Sequence, residues 1–415
     1  MKKALVFAVL LVASLACGTV AAKTLEEVLK EKGVITEADY REVTREKPLD
    51  YKLGKGFTFN SSDGKFQLSL GGRLQARYTF VDKDDANGPA QDVGEWRIRR
   101  MKLYLSGHAY NKDLTYRVQA ALENGGNAKL LDDAYFSYRF VDEAQLQAGQ
   151  FKTPFAREEL TSAGALEFVD RANAVDAFKP TRDIGAMLHG RVAQGRLTYN
   201  AGIFGGTGQS NPRTTNNAMF VARITANPLG EVKYGEGDPE RSKKPLVSIG
   251  ANYFANTLKR SATGVFESTV PNYVSSTGWL GKGAAAFDNT EKVDIDSFGV
   301  DAAFKWMGLF LQGEYLGGEA EGKKTGKTLK ARGFYAQAGY FVLPRRVEVA
   351  ARYSYVDPNR DRTQDLQAET QGAVSCYFHG HRLTVQGDYT NIHTQVPGKS
   401  STDDKQVRLQ AQVEF

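Results

Sequence analysis

Basic side chains recur at every-second-residue spacing along this chain. On the polar half of short alternating segments lie Arg73, Arg77, Arg100, Lys102, Arg117, Arg139, Arg191, Arg223, Arg352, Arg382 and Arg408. The acids on the same rows are fewer: Asp133, Asp301, Glu314, Glu348, Asp388 and Glu414. A guanidinium presents a planar fork of donors that can hold a phosphate or a carboxylate through two hydrogen bonds. Many such groups on one wet surface concentrate anions and repel cations, and exchange between weak sites lets a captured anion leave. The cation surplus belongs to the set. Any one arginine reads equally well as a solvated or headgroup-binding charge.

Catalytic chemistry finds no comparable constellation. The histidines are His108, His189, His379, His381 and His393. His379 and His381 share a short turn, but neither a cysteine nor a third histidine stands near in sequence to complete a metal site. Gly205-Gly206-Thr207-Gly208 follows a strand, yet no Lys-Ser/Thr or helix follows it, so it fails as a phosphate cradle. No nucleophile with a base and no rim carboxylate pair stands out. Neither enzyme activity, a cofactor, a metal nor a nucleic-acid partner is expected.

The basic rows need strands to hold them. From Phe66 to Phe80, Phe66, Leu68, Leu70, Gly72, Leu74, Ala76, Tyr78 and Phe80 share one face, and Gln67, Ser69, Gly71, Arg73, Gln75, Arg77 and Thr79 the other. A helix would mix the two sets. The run exceeds a globular strand of about 5–6 residues and suits a tilted membrane strand. Val407, Leu409, Ala411, Val413 and Phe415 repeat the alternation at the end of the chain. Fourteen similar segments recur between them, which predicts sixteen strands, an even number as bacterial barrels require. A terminal aromatic on such a strand resembles the signal read by the outer-membrane barrel-assembly machinery, so Phe415 is the expected contact.

Connection lengths support the count. Those after odd strands are mostly long and polar, such as Asp82–Glu95, Thr153–Arg182, Gly205–Met219 and Ala255–Lys292; those after even strands are mostly short, such as Asn111–Asp113, Met307–Gly308, Leu343–Arg345 and His379–His381. Long loops on one side and tight turns on the other, with both termini on the turn side, mark an outer-membrane barrel. Asn227–Pro245 breaks the rule: either that turn is enlarged or the count slips there. Lipid offers no partners to backbone groups, so the sheet must close on itself. A soluble sandwich of amphipathic strands does not account for the loop alternation. Basic side chains are expensive on a lipid face, by about 2–4 kcal/mol at midplane, so the basic rows should face a water-filled lumen.

Length and composition agree. The chain has 415 residues and a net charge of +6. Met1–Ala22 combines Lys2 and Lys3, an apolar run too short to span a bilayer, and Val20-Ala21-Ala22 as a cleavage site, and reads as a secretory signal peptide. Cys17 suggests a lipid anchor, but Ser14 sits where that motif wants Leu or Val. Cys376 is then the one cysteine of the mature chain, so no disulfide closes the fold. No later stretch reaches the roughly eighteen apolar residues of a membrane helix. Residues 23–60 are expected to form a short, partly helical periplasmic segment, and 61–415 the transmembrane barrel. Thr24 with Glu27 forms a capping box, Gly33 can end that helix, and Thr36 can cap a second one through Val43. The segment is short and lacks heptads, which favours a loosely held leader over a plug or a coil at a trimer axis.

Leu70-Gly-Gly-Arg-Leu-Gln-Ala76, Arg99-Arg100, and Gly149-Gln-Phe-Lys-Thr-Pro-Phe155 followed by Arg171 and Arg182-Asp-Ile-Gly185 resemble the phosphate-selective porin O and P family. The resemblance runs along the whole barrel to Phe415, most specifically in its first third. It implies a homotrimer of sixteen-stranded barrels among the lipids of a Gram-negative outer membrane, with a ladder of pore arginines and a phosphate site at the constriction. By position, it carries the family's pore arginines to Arg73, Arg99 and Arg100, the constriction-loop arginine to Arg171, and the acid of the central site to Asp132. Where phosphate-selective members place a lysine, this chain has Glu159, whose carboxylate should repel phosphate.

Parity and carry-over disagree at two positions. Arg100 falls with Lys102 and Tyr104 on the lumen row, whereas Arg99 falls with Met101 and Leu103, so only a bulge could turn it inward. Asp132 likewise shares the parity of Ala134 and Phe136. Thr153–Arg182 is long enough to be functional and is expected to fold into the lumen. It mixes Arg157, Arg171, Lys179 and Arg182 with Glu158, Glu159, Glu167, Asp170 and Asp176. The function these readings favour is passive diffusion of small anions, phosphate-like oxyanions foremost, through a pore lined by Arg73, Arg77, Arg99, Arg100, Lys102, Arg117, Asp132, Arg157, Glu159 and Arg171. The alternatives are a general porin with little preference and a barrel acting as an enzyme or adhesin.

Overall fold

Alternation of apolar and polar residues persists in space as an outside and an inside. In the strand Lys292–Trp306, Phe298 and Val300 stand exposed on the outer face, while Ser297, Asp301 and Ala303 are buried inward. The computed structural model describes residues 25–36, 49–52, 56–123, 130–213 and 216–415. The expected signal peptide, the Thr24 cap and most of the second N-terminal helix lie outside the described residues. The first helix is present as α1 (Leu25–Glu31), and Gly33 after it has φ +70°.

The described strands are β1 (Leu49–Lys52), β2 (Gly56–Asn60), β3 (Gln67–Asp82), β4 (Val93–Ala109), β5 (Asn111–Ala121), β6 (Leu131–Val141), β7 (Ala144–Lys152), β8 (Arg182–Val192), β9 (Leu197–Phe204), β10 (Met219–Ala226), β11 (Leu246–Lys259), β12 (Lys292–Trp306), β13 (Leu309–Gly322), β14 (Thr328–Leu343), β15 (Val347–Asp357), β16 (Gln367–Tyr377), β17 (Leu383–Thr394) and β18 (Thr402–Glu414). From β3 to β18 each strand pairs antiparallel with the next, and β18 returns to β3 from Lys405 opposite Asp82 to Glu414 opposite Arg73. The result is a closed barrel of sixteen strands, and every expected strand is one of them. Closure satisfies the backbone donors that an open edge would leave unpaired.

Phe415 completes the seam. Its N–H donates to Gly72 O at 3.0 Å, and its carbonyl accepts the Gly72 N–H at 2.8 Å. Its ring leaves no room at Gly72, where a Cβ would lie 2.5 Å from Phe415 Cζ. The second glycine of the Leu70–Ala76 motif therefore seats the terminal ring against the seam, and a larger residue there would displace that ring. Beyond it β2 takes up pairing with β3, Phe57 opposite Leu70, so the hairpin β1–β2 extends the wall and the sheet begins at Leu49.

The even-strand connections shrink to tight turns such as 307–308 and 344–346, with one exception, residues 227–245. The turn is enlarged and the strand count holds. It enters the lumen: Val232, Glu236 and Asp238 are buried. From the opposite rim, residues 153–181 (loop 3) and 260–291 (loop 5) also fold inward. Loop 3 carries the short helices α2 (Arg157–Leu160) and α3 (Asn173–Phe178), and loop 5 carries α4 (Trp279–Gly283). Their apolar side chains make the core inside the barrel. Phe178 stacks on Trp279 at 6.0 Å between centroids, and Phe254 contacts both Phe155 at 5.0 Å and Tyr273 at 5.1 Å.

Candidate permeation site

Loop 3 is seated by the wall opposite the family motifs. The N-cap position of α2, Ala156, has no side chain to satisfy the first helical donors. Glu314 on β13 supplies that partner, its two oxygens accepting the N–H groups of Arg157 and Glu158 at 2.7 Å each. Glu158 holds the start of α3, accepting the N–H of its N-cap residue Ala172 at 2.9 Å. Arg223 on β10 donates to Phe155 O, and Arg352 on β15 to the Glu158 carboxylate and to Asp170 O. Much of the inward basic row on β10 to β18 is thus engaged by loop 3.

The long turn meets the same loop from below. Thr161 donates to Tyr234 O at 2.7 Å, the Glu236 N–H to Ala165 O at 2.9 Å, and the Glu167 N–H to the Glu236 carboxylate at 2.9 Å. His381, one of the two turn histidines, donates through Nε2 to Glu236 O at 3.0 Å. Glu236 escaped the sequence reading; the only signal for it was the excess length of 227–245.

With that half filled, open space remains along the wall built by β3 to β9. A cavity of about 460 Å³ opens between this wall and loop 3. A second of about 340 Å³ adjoins it toward the turn rim, and Asp133, Lys152 and Leu160 border both. Among the described residues, the larger is lined by nine basic side chains, Arg73, Arg99, Arg100, Lys102, Arg117, Lys152, Arg171, Lys179 and Arg182, against four acids, Glu123, Asp132, Asp133 and Glu159.

Of the predicted residues, the structure brings Arg73, Arg99, Arg100, Lys102, Arg117, Asp132, Glu159 and Arg171 to this cavity. Two are placed elsewhere. Arg77 is 1% exposed beneath loop 3, bonded to Gln410 and Asp170. Arg157, also 1% exposed, turns to the far wall and meets Gln312 and Ser248. Inward parity puts a side chain in the lumen, but the loops then decide whether it meets water or protein. Lys152, Lys179 and Arg182 join the set; Lys152 was present in the Gly149–Phe155 motif without being assigned to the pore.

Arg99 and Asp132 reach the cavity through bulges. Opposite β3 the register passes from Gln75–Arg100 to Ala76–Ile98, leaving Arg99 as the extra residue. Opposite β5 it passes from Gln119–Asp133 to Ala120–Leu131, leaving Asp132 extra. A bulge lets two neighbours share one face. Arg99 and Arg100 therefore both reach Asp170, at 3.2 and 3.4 Å, and Asp132 and Asp133 both face Arg182, at 3.8 and 2.6 Å.

The acids are dispersed among cations. Asp132 lies 2.9 Å from Lys102, whose Nζ also holds Glu123 at 2.5 Å, and Arg73 holds Glu414 at 3.1 Å. Glu159 is paired with Arg171 at 3.0 Å and Lys179 at 3.1 Å. Burial by itself would raise its carboxyl, but Arg171, Lys179 and Lys152 overcome that and hold it below the usual range. Its charge is thus shared between two cations of loop 3 at the edge of the cavity. Arg171 is tied in turn to the carbonyls of Glu158 and Thr161, at 2.9 and 2.8 Å.

Comparison with known proteins agrees with this architecture. Residues 68–415 match the family described as phosphate-selective porin O and P. The chain is 24% identical over 369 residues to Porin O of Pseudomonas aeruginosa, covering 81% of this chain and 77% of that protein. It is also 24% identical over 428 residues to an uncharacterized protein of Aquifex aeolicus, covering 93% of each. Among solved structures, the anion-selective porin from Comamonas acidovorans has the same fold, with TM-score 0.58 at 12% identity over 84% of this chain and all of that one. OmpT of Vibrio cholerae, an outer-membrane protein, follows with TM-score 0.55 at 12% identity over 86% of this chain and all of that one.

Proposed function

The chain belongs to the phosphate-selective porin O and P family and is a porin of the Gram-negative outer membrane, and from that premise we propose that it passes small anions by passive diffusion along the basic wall of β3 to β9. The observation that carries this reading is the charge of the larger cavity, nine basic side chains against four acids among the described residues around a space of about 460 Å³. Fixed cations around a narrow aqueous space raise the local anion concentration and expel cations. Each cation has an acid or carbonyl neighbour, which keeps any one site weak and lets an anion move on. Arg73, Arg99, Arg100, Lys102, Arg117, Lys152, Arg171 and Arg182 are the proposed path, with Asp132 between Lys102 and Arg182 as its acidic midpoint.

Phosphate-like oxyanions suit the forked donors of the arginines. Glu159 is the residue that tempers this preference, and a weakly selective general porin is the second reading, favoured by the mixed charge of loop 3. Assembly as a homotrimer, which rests on family membership, and delivery by the barrel-assembly machinery, which rests on Phe415 ending an amphipathic strand, are part of the same proposal. Reversal potentials in planar bilayers under a KCl gradient test it: the sign for chloride preference is expected, and a cation-preferring potential would overturn it. Phosphate block of the chloride current then separates an oxyanion preference from a general one. A gel comparing heated and unheated samples reads the trimer.

A further inference from the structure

Asp170 of loop 3 sits inside a cage of four guanidinium groups. Its carboxylate lies 2.5 Å from Arg77, 3.2 Å from Arg99, and 3.4 Å from both Arg100 and Arg408. Only Arg408 has a second carboxylate, Asp388 at 2.7 Å. Arg77 turns its other donors to the Gln410 side chain and the Val169 carbonyl, Arg100 turns one to Gln75, and Arg99 Nε is buried with no acceptor among the described residues. Four guanidinium groups therefore share two directly paired carboxylates, and three of the four, Arg77, Arg100 and Arg408, are at most 10% exposed, where an excess of charge is costly. Arg99 and Arg100 reach the larger cavity, and the Asp170 side chain itself is 19% exposed.

Taking the basic wall as the anion path, we propose that Asp170 is a tethered counter-anion that occupies, and so masks, an anion-binding site made by Arg77, Arg99, Arg100 and Arg408. A carboxylate has two oxygens to divide among these forks, whereas phosphate brings more acceptors and more charge. Burial alone would raise the Asp170 carboxyl, but Arg77, Arg99 and Arg100 hold it well below its usual range, so it stays an anion at any ordinary pH. A ligand tethered beside its site competes at an effective concentration on the order of millimolar or higher. A passing oxyanion at lower concentration meets occupied forks, binds weakly and leaves quickly. The outer arginines that resemble a phosphate ladder are in this chain partly spent on its own loop.

Asp170→Asn removes the charge and keeps the shape. In planar bilayers, the phosphate concentration that halves the chloride current should fall about tenfold or more in D170N, since a competitor of that effective concentration is gone, and the reversal potential should move further toward anions. Asp170→Glu keeps the counter-charge and should behave as wild type. An unchanged block in D170N, unmasking in D170E as well, or a larger conductance with lost selectivity overturns the inference; the last would make Asp170 a pin for the loop alone. Detergent-solubilised protein gives a reading independent of transport: phosphate should raise the thermal midpoint of D170N and not that of wild type, and no shift in D170N overturns the inference. Where D170N does not assemble, Asp170→Ser is read in the same way. A cation-preferring wild type would instead overturn the transport reading while leaving the thermal test standing.

Discussion

The carboxylate of Glu236 accepts the backbone N–H of Glu167 at 2.9 Å, so a turn from one rim of the barrel holds a loop from the other. Gln312 and Gln337 donate to the same carboxylate, each at 3.1 Å. The filled half of the lumen is thus clamped from both ends, and the open path is displaced toward β3 to β9.

Glu236→Ala should loosen this clamp. Each hydrogen bond to a charged group contributes about 1.5–3 kcal/mol, and the change leaves three buried donors without that acceptor. Single-channel recording should show larger conductance, more current noise and weaker anion preference. Conductance indistinguishable from wild type would mean that loop 3 stays seated without the turn.

Acidity should tighten the same region. Burial, followed by the neighbouring carboxylates of Glu348 and Glu236, pushes the Glu167 carboxyl well above its ordinary range. An acid raised in the folded state contributes stability that is complete below its unfolded value, about 4.3, and is lost as pH rises toward the folded one. Glu159 and Asp170 are shifted the other way, so their contribution is present above the unfolded value and lost only as pH falls below it. Above the unfolded value the Glu167 effect should prevail. The thermal midpoint in detergent should fall across that range in wild type and fall less in Glu167→Gln; equal slopes would refute the assignment.

Glu159→Gln should strengthen phosphate block of the chloride current several-fold, because Arg171 and Lys179 lose their shared counter-ion. Glu159→Lys should act in the same direction while leaving loop 3 less stable, by about 3 kcal/mol for a buried pair deprived of one partner. Titration of block against phosphate, with the thermal midpoint read in parallel, checks both. If neither variant binds phosphate more tightly, Glu159 has no part in selectivity.

Removing Phe415 deletes both backbone bonds to Gly72 and the ring packed over that glycine. The truncated protein should show a lower temperature for conversion of the folded to the unfolded band on a gel. A conversion temperature equal to wild type would mean that β18 closes on β3 without its last residue.

Strand identity, order and number were legible because a period of two is a local property. Each residue needs only its neighbours two places away to declare which side of the sheet it takes, and the seam glycines lay within one readable motif. The sum of charge along the inward rows was legible for the same reason.

Which members of those rows meet water was not written locally. Arg77 and Arg100 both turn inward, yet one lies sealed beneath Asp170, 93 residues away in the chain, and the other lines the cavity. Arg99 and Asp132 enter through single-residue bulges, which depend on the partner strand's register and leave no trace in composition. The long turn announced itself only as a length that broke a pattern, and its pairing with loop 3 joins Glu236 to Glu167, 69 residues apart. Facing is set by covalent geometry along a strand; wetness is set by what the rest of the chain leaves unfilled, and that waits for the barrel to close.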